Sequence, residues 1–110
     1  MRILYVSPGA EVSERTVSQD GVCEYMRREI GCESLCSCAL TPEVIMWHDA
    51  NAADKVLPVN GPAIRIADEF GTELLDKFRG GVIRGSVIFT GPKTSGLSEP
   101  HCARLVQIIG

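Results

Sequence analysis

"ESLCSCALTPEVIMWHD", residues 33–49, holds two apolar segments on either side of a proline turn. In the first, Leu35, Ser37 and Ala39 fall on one side of an extended chain and Cys36, Cys38 and Leu40 on the other, because successive strand side chains alternate. Thr41 and Pro42 punctuate, and Val44, Ile45, Met46 and Trp47 follow as a second apolar run. Segments 33–40 and 43–48 are expected to pair antiparallel, which sets the character of the whole sheet.

Working back from this hairpin, Val22, Met26 and Ile30 recur every four positions ahead of Gly31, the pattern of one amphipathic helix with a glycine stop. Ser18 or Asp20 is expected to cap its amino terminus, and Glu24 and Arg28 to pair on its solvent side. Before it, "RILYVS" is a short apolar run bounded by Pro8 and Gly9 and reads as a central strand. The more polar "EVSERTVS", with only Val12 and Val17 apolar, suits an exposed edge strand returning from it.

Working forward, "DANAADK" is a polar turn, and "VLPVNGPAIRI" is expected to be extended, since two prolines push the preceding residues away from helix and remove backbone donors. Phe70, Leu74 and Phe78 in "DEFGTELLDKFRGG" predict a short helix. "VIRGSVIFTG" predicts a strand in which Gly85 marks a bulge or a close backbone approach. In "SGLSEPHCARLVQIIG" Ser98 is the expected cap of a final helix with Cys102, Leu105, Val106 and Ile109 on one face. The expectation is a single domain, 1–110, of α+β class: a small, mostly antiparallel sheet with two to three short helices.

Composition narrows the function classes. Eleven basic and 14 acidic residues give a net charge of −3 and are scattered through the chain, so no basic stripe is available to neutralise a phosphate backbone. The longest apolar runs are far shorter than the ~18 residues a membrane span needs, and the apolar start is cut off at once by charge, unlike a signal peptide. Five cysteines, an odd number, fit a reducing compartment in which thiols act as small hydrophobes rather than bridges. A cytoplasmic protein is the resulting expectation.

The order of these motifs resembles an uncharacterised domain family of short bacterial and phage proteins common on mobile elements. The resemblance covers most of the chain and rests on "MRILYVSPG", the helix closing in "EIGCESL", "LPVN" at 57–60, and "VIRGSVIFTG" ahead of the Ser-capped "LSEPHCARL". The family places an arginine after the LPVN-like stretch, where this chain has Gly61 and Pro62, and segment 66–81 is longer than in the family. The resemblance implies a small α+β fold with a mostly antiparallel sheet and a phage or mobile-element setting; it implies no reaction.

Four stretches invite a chemical reading. Cys32, Cys36 and Cys38, with His48 across the hairpin, are the candidate zinc or thiol set, but the cysteine spacings differ from the C-x2-C knuckle that turns two sulfurs toward one ion. His101 and Cys102 adjoin at a helix start, where a thiolate is favoured, yet neighbours on a helix point about 100° apart and Cys102 belongs to the apolar stripe. "GPKTSG" at 91–96 has Pro92 where a phosphate loop needs glycine, leaving Lys93 as a solvated connector residue. Asp49, Asn51 and Asp54 lack the glycine and closing glutamate of a calcium loop.

No residue is therefore assigned a catalytic, cofactor or metal role, and no cofactor is expected. The leading expectation is a small non-catalytic protein-binding module of a phage or mobile element that modulates or inhibits a host or defence component of nuclease or CRISPR type, its acidic lean suiting a basic partner. The alternatives are a zinc-binding or thiol-based regulator on Cys32, Cys36, Cys38 and His48, and a nucleic-acid-binding module. A homodimer through a free sheet edge is a further expectation, with 12–17 the candidate edge.

Overall fold

The computed structural model describes the backbone of residues 1–110 and every side chain except that of Thr72. Five strands, β1 (Arg2–Val6), β2 (Val12–Thr16), β3 (Leu35–Thr41), β4 (Val44–Asp49) and β5 (Val87–Thr90), form one sheet in the order β2-β1-β5-β4-β3. Every neighbouring pair is antiparallel. Three helices, α1 (Val22–Ile30), α2 (Gly61–Phe70) and α3 (Glu99–Ile109), complete the small α+β fold that the sequence leads one to expect. Among the described residues no helix is long and apolar enough to cross a membrane.

The sheet is covered on both faces. Leu4, Val6, Cys38, Leu40, Val44, Met46, Val87 and Phe89 pack with α2 and α3 residues such as Ile66 and Leu105. Ile3 and Ile88 pack with Val22, Met26 and Ile30 of α1 on the other face, with Tyr5, Leu35 and Trp47 alongside. This explains why β5 is apolar without alternation: all four of its residues are buried, as a strand with both faces covered requires. The central position belongs to β5, with β1 beside it; β2 and β3 are the two edges.

The hairpin forms as its alternation implies, with Cys36 opposite His48, Ser37 opposite Trp47 and Cys38 opposite Met46. Gly31 ends α1 in the left-handed conformation at φ 80°, as a glycine stop does. Its amino-terminal cap is Gly21, also left-handed, rather than Ser18 or Asp20, and Glu24 pairs with Arg27 at 3.1 Å rather than with Arg28. Arg28 instead lies over the Tyr25 ring.

Two segments depart further from the sequence reading. The stretch expected to be extended enters α2 at Gly61, because the Asn60 side chain accepts a hydrogen bond from the Ala63 amide and Pro62 occupies the first turn, where a missing N–H costs nothing. Phe70, Leu74 and Phe78 do not share a helix. Phe70 ends α2, Gly71 at φ 154° breaks it, Thr72–Lys77 is a 3-10 turn, and Phe78 is extended. The four-residue spacing arises across two elements that pack side by side.

Smaller differences follow from tertiary contact. "VIRGSVIFTG" is a strand only over 87–90; Gly85 lies ahead of it at φ 80°, a left-handed turn position where a Cβ would lie 2.9 Å from the Leu57 side chain, rather than at a bulge within the strand. Ser98 caps α3 as expected, and Cys102 and Leu105 are buried, but Val106 is 42% exposed because the α3 stripe is narrower than the apolar pattern. Val56 is 75% exposed and held at φ 52°, a conformation that is strained for a β-branched residue. Replacing it with Asn, which tolerates that region, is expected to stabilise the fold by about 1 kcal/mol, read from the urea midpoint.

Candidate functional site

The end of the β3–β4 hairpin away from its turn borders a recess of about 240 Å³. Cys36 and His48 form one wall. Phe78 and Val82 supply apolar surface, and Lys77, Arg79 and Arg84 bring positive charge. The recess depends on the irregular 71–86 segment: Gly71 ends α2, and the turns that follow swing Phe78 back onto the hairpin, its ring 4.9 Å from His48 at a 58° tilt.

Arg84 and His48 are held by backbone carbonyls and Arg79 by a carboxylate. Arg84 donates to the Leu57 carbonyl at 3.0 Å, and Arg79 pairs with Asp54 at 2.9 Å. His48 Nδ1 lies 3.3 Å from the Asp49 carbonyl, which can only accept, so Nδ1 carries the proton and Nε2 is left with its lone pair. Burial against Phe78 pushes the imidazole pKa below its ordinary value, with the Asp49 carbonyl opposing.

That shift has a sign that can be checked. A histidine with its pKa depressed in the folded state takes up a proton first in the unfolded chain as pH falls. The stability it contributes is present above the ordinary pKa of about 6.5 and is lost as pH drops from there toward the folded value. The urea midpoint of the wild type is expected to fall more steeply than that of His48→Gln between about pH 7.5 and 5.5.

The candidate metal and thiol residues are only partly brought together. Cys36 faces His48 across the hairpin and is exposed, while Cys38 is buried in the core cluster on the α2 side of the sheet. Cys32 packs against the α1 cluster on the opposite face of the sheet, and burial raises its thiol pKa. Among the described residues no three His, Cys, Asp or Glu side chains converge as a metal site would require. Cys36 shares the strand side of Cys38 and Leu40 yet is exposed for a positional reason: it lies near the end of β3, away from the buried cluster that takes in Cys38 and Leu40.

The other sequence candidates separate as well. Cys102 is buried with its thiol pKa pushed up to about 11, first by desolvation and then by Glu14, whereas His101 Nδ1 bonds Ser98 Oγ at 2.7 Å. Asp49 is buried, accepting from the Asn51 amide at 2.8 Å and pairing with Lys55 at 2.7 Å, while Asp54 turns away to Arg79. The 91–96 loop closes on itself through the Gly91 amide and the Ser95 carbonyl at 2.9 Å, so that amide is not available as part of a phosphate cradle. Iodoacetamide is expected to label Cys23 and Cys36 in the folded protein and to reach Cys38 and Cys102 only on denaturation, as peptide mass mapping would read.

Phe78, Arg79 and Arg84 escape sequence reading because they meet His48 only through an irregular segment. Asn60 was legible in principle: Asn-Gly-Pro is a capping signal followed by a first-turn proline. No family model matches the chain, and neither a curated protein nor a solved structure matches it.

Proposed function

We propose that the chain is a small non-catalytic protein-binding module that receives an acidic side chain of a partner protein in the recess beside His48. The composition of that recess carries the reading: an apolar wall from Phe78 and Val82 with Lys77, Arg79 and Arg84 around it, while the one carboxylate in the lining, Asp49, is paired with Lys55 and Asp54 offsets Arg79 alone. Its volume of about 240 Å³ falls below that of most small-molecule sites and suits a single inserted side chain. A long polyanion fits less well, because 14 acidic against 11 basic residues leave the remaining surface repulsive to a phosphate backbone. The net negative charge favours a basic partner only away from this recess. In the phage or mobile-element setting that the sequence resemblance implies, the partner is a host or defence component of nuclease or CRISPR type.

The test is capture from the native host with the full chain as bait, wild type against the double variant Lys77→Glu, Arg79→Glu. Both side chains are exposed, and the one ion pair given up, Arg79 with Asp54, is exposed too, so the fold tolerates the exchange. A protein held by the wild type and lost with the charge reversal supports the reading; one held equally by both overturns it.

A thiol-based regulator is the second reading, favoured by the exposed Cys36 standing opposite a histidine with a free Nε2. It requires Cys36 to be alkylated faster than the exposed Cys23 and to lose that advantage in His48→Gln. Equal rates at the two cysteines remove it.

A further inference from the structure

The two sheet edges differ in chemistry. On β2, Glu14 pairs with Arg2 of β1 at 2.7 Å, and Arg15 pairs with Glu29 and Glu11 while lying 4.3 Å over the Tyr5 ring. Such charges protect an edge from further pairing, and a second β2 laid antiparallel about Glu14 would set one carboxylate against another. This is the edge, 12–17, at which sequence reading placed self-association. β3 is the opposite case: Leu35–Thr41 contains no charged residue and no proline, and Cys36, Ser37 and Ala39 are exposed along it. Among the described residues its hydrogen-bonded strand partner is β4 alone, which leaves the outer row of backbone N–H and C=O groups open.

We propose that β3 pairs with β3 of a second copy of this chain, antiparallel about a twofold axis at Ser37, joining the two sheets edge to edge. The register shift between Ala39 and Thr41 confines regular pairing to 35–39, whose midpoint is Ser37. About that axis Leu35 meets Ala39 of the other copy, Cys36 meets Cys38, and Ser37 meets Ser37. Each pairing joins small or apolar groups, and none brings like charges together, which is what an isologous interface demands of a single segment. An axis perpendicular to the sheet keeps α1 of both copies on one face and α2 and α3 on the other, so both His48 recesses open on the same face. The recess and the strand edge share Cys36, but Lys77, Arg79 and Arg84 of the recess lie outside β3, so each reading can fail alone. A short strand pair buries less than the ~1,200 Å² of a standard stable interface, so the association is expected to depend on concentration in the micromolar range.

Sedimentation velocity of the full chain across that range is expected to show a doubling of mass with concentration. Ser37→Lys and Ser37→Glu, both at an exposed position, each weaken association by about tenfold or more by placing like charges on the axis, and an equimolar mixture of the two restores the dimer. Ala39→Lys, also exposed, serves as a second disrupting variant should either Ser37 variant lose its circular dichroism spectrum. Thr16→Lys on β2 leaves the profile of the wild type unchanged. A wild type that stays monomeric throughout, folded Ser37 or Ala39 variants that dimerise as the wild type does, or a mixture that fails to reassociate would overturn the proposal.

Discussion

Asn60→Ala is expected to lower stability by about 3–4 kcal/mol, a drop on the order of 10–20 °C in Tm for a domain of this size. Asn60 is fully buried, and its one amide does three jobs. Oδ1 accepts from the Ala63 amide at 3.0 Å to start α2, while Nδ2 donates to the Val6 carbonyl at 3.1 Å and the Gly85 carbonyl at 2.9 Å. Truncation removes a helix cap worth about 1 kcal/mol and strands two carbonyls, each costing about 1–3 kcal/mol if it stays dry. The arrangement ties the end of β1, the start of α2 and the Gly85 turn to one side chain. Asn60→Ser, which keeps the cap acceptor, should recover about 1 kcal/mol of the loss, and Asn60→Asp should be no better than alanine, because it turns an oxygen toward two carbonyls. Chemical denaturation of the three variants separates the two contributions. If alanine costs under about 1 kcal/mol, the link between β1 and α2 lies elsewhere.

Gly91→Ala is expected to cost about 3 kcal/mol for a different reason. Gly91 has φ −77°, so alanine meets no backbone strain there. The obstacle is space: a Cβ at 91 would lie 2.3 Å from the Gly96 carbonyl oxygen and 2.9 Å from Ser95 Oγ. The hydroxyl can rotate away; the carbonyl cannot move freely, because the Gly91 amide bonds Ser95 and the next amide, Leu97, donates to the Arg2 carbonyl at 2.8 Å. Opening the loop therefore loosens the start of β1 as well. A thermal melt of Gly91→Ala beside Gly61→Ala, a position where nothing lies within 4 Å, distinguishes lack of space from loss of glycine as such. The first should fall by on the order of 10 °C and the second should change little.

Both predictions rest on polar or backbone contacts made over long sequence separations, which is where sequence reading is weakest. Its successes are local. Val22, Met26 and Ile30 meet the core because a four-residue period turns them to one side of α1. The hairpin has its register because Cys38 and Leu40 must share the face of Val44 and Met46. The failures come where one local signal has two readings. Proline breaks a helix interior yet begins a helix, so 57–66 turned on whether Asn60 was read as a cap. Phe70, Leu74 and Phe78 have helical spacing, but Gly71 leaves the last of them to reach His48 from a separate turn.

The cysteine stretch shows the same division. Alternation alone puts Cys36 and Cys38 on one face of a strand and His48 opposite the first, because side-chain direction along a strand is a local property. How far the helices extend over that face is not local. Cys38 joins the buried cluster on the α2 side and Cys36 is exposed, so one thiol fills the core while the other borders the recess. The sequence by itself determined the antiparallel hairpin, the buried stripe of α1 and the capped start of α3, all consequences of periodicity and turn chemistry. Only the tertiary structure decided which strands lie at the sheet edges, which cysteine is exposed and which side chains gather beside His48, because these depend on packing between segments far apart in the chain.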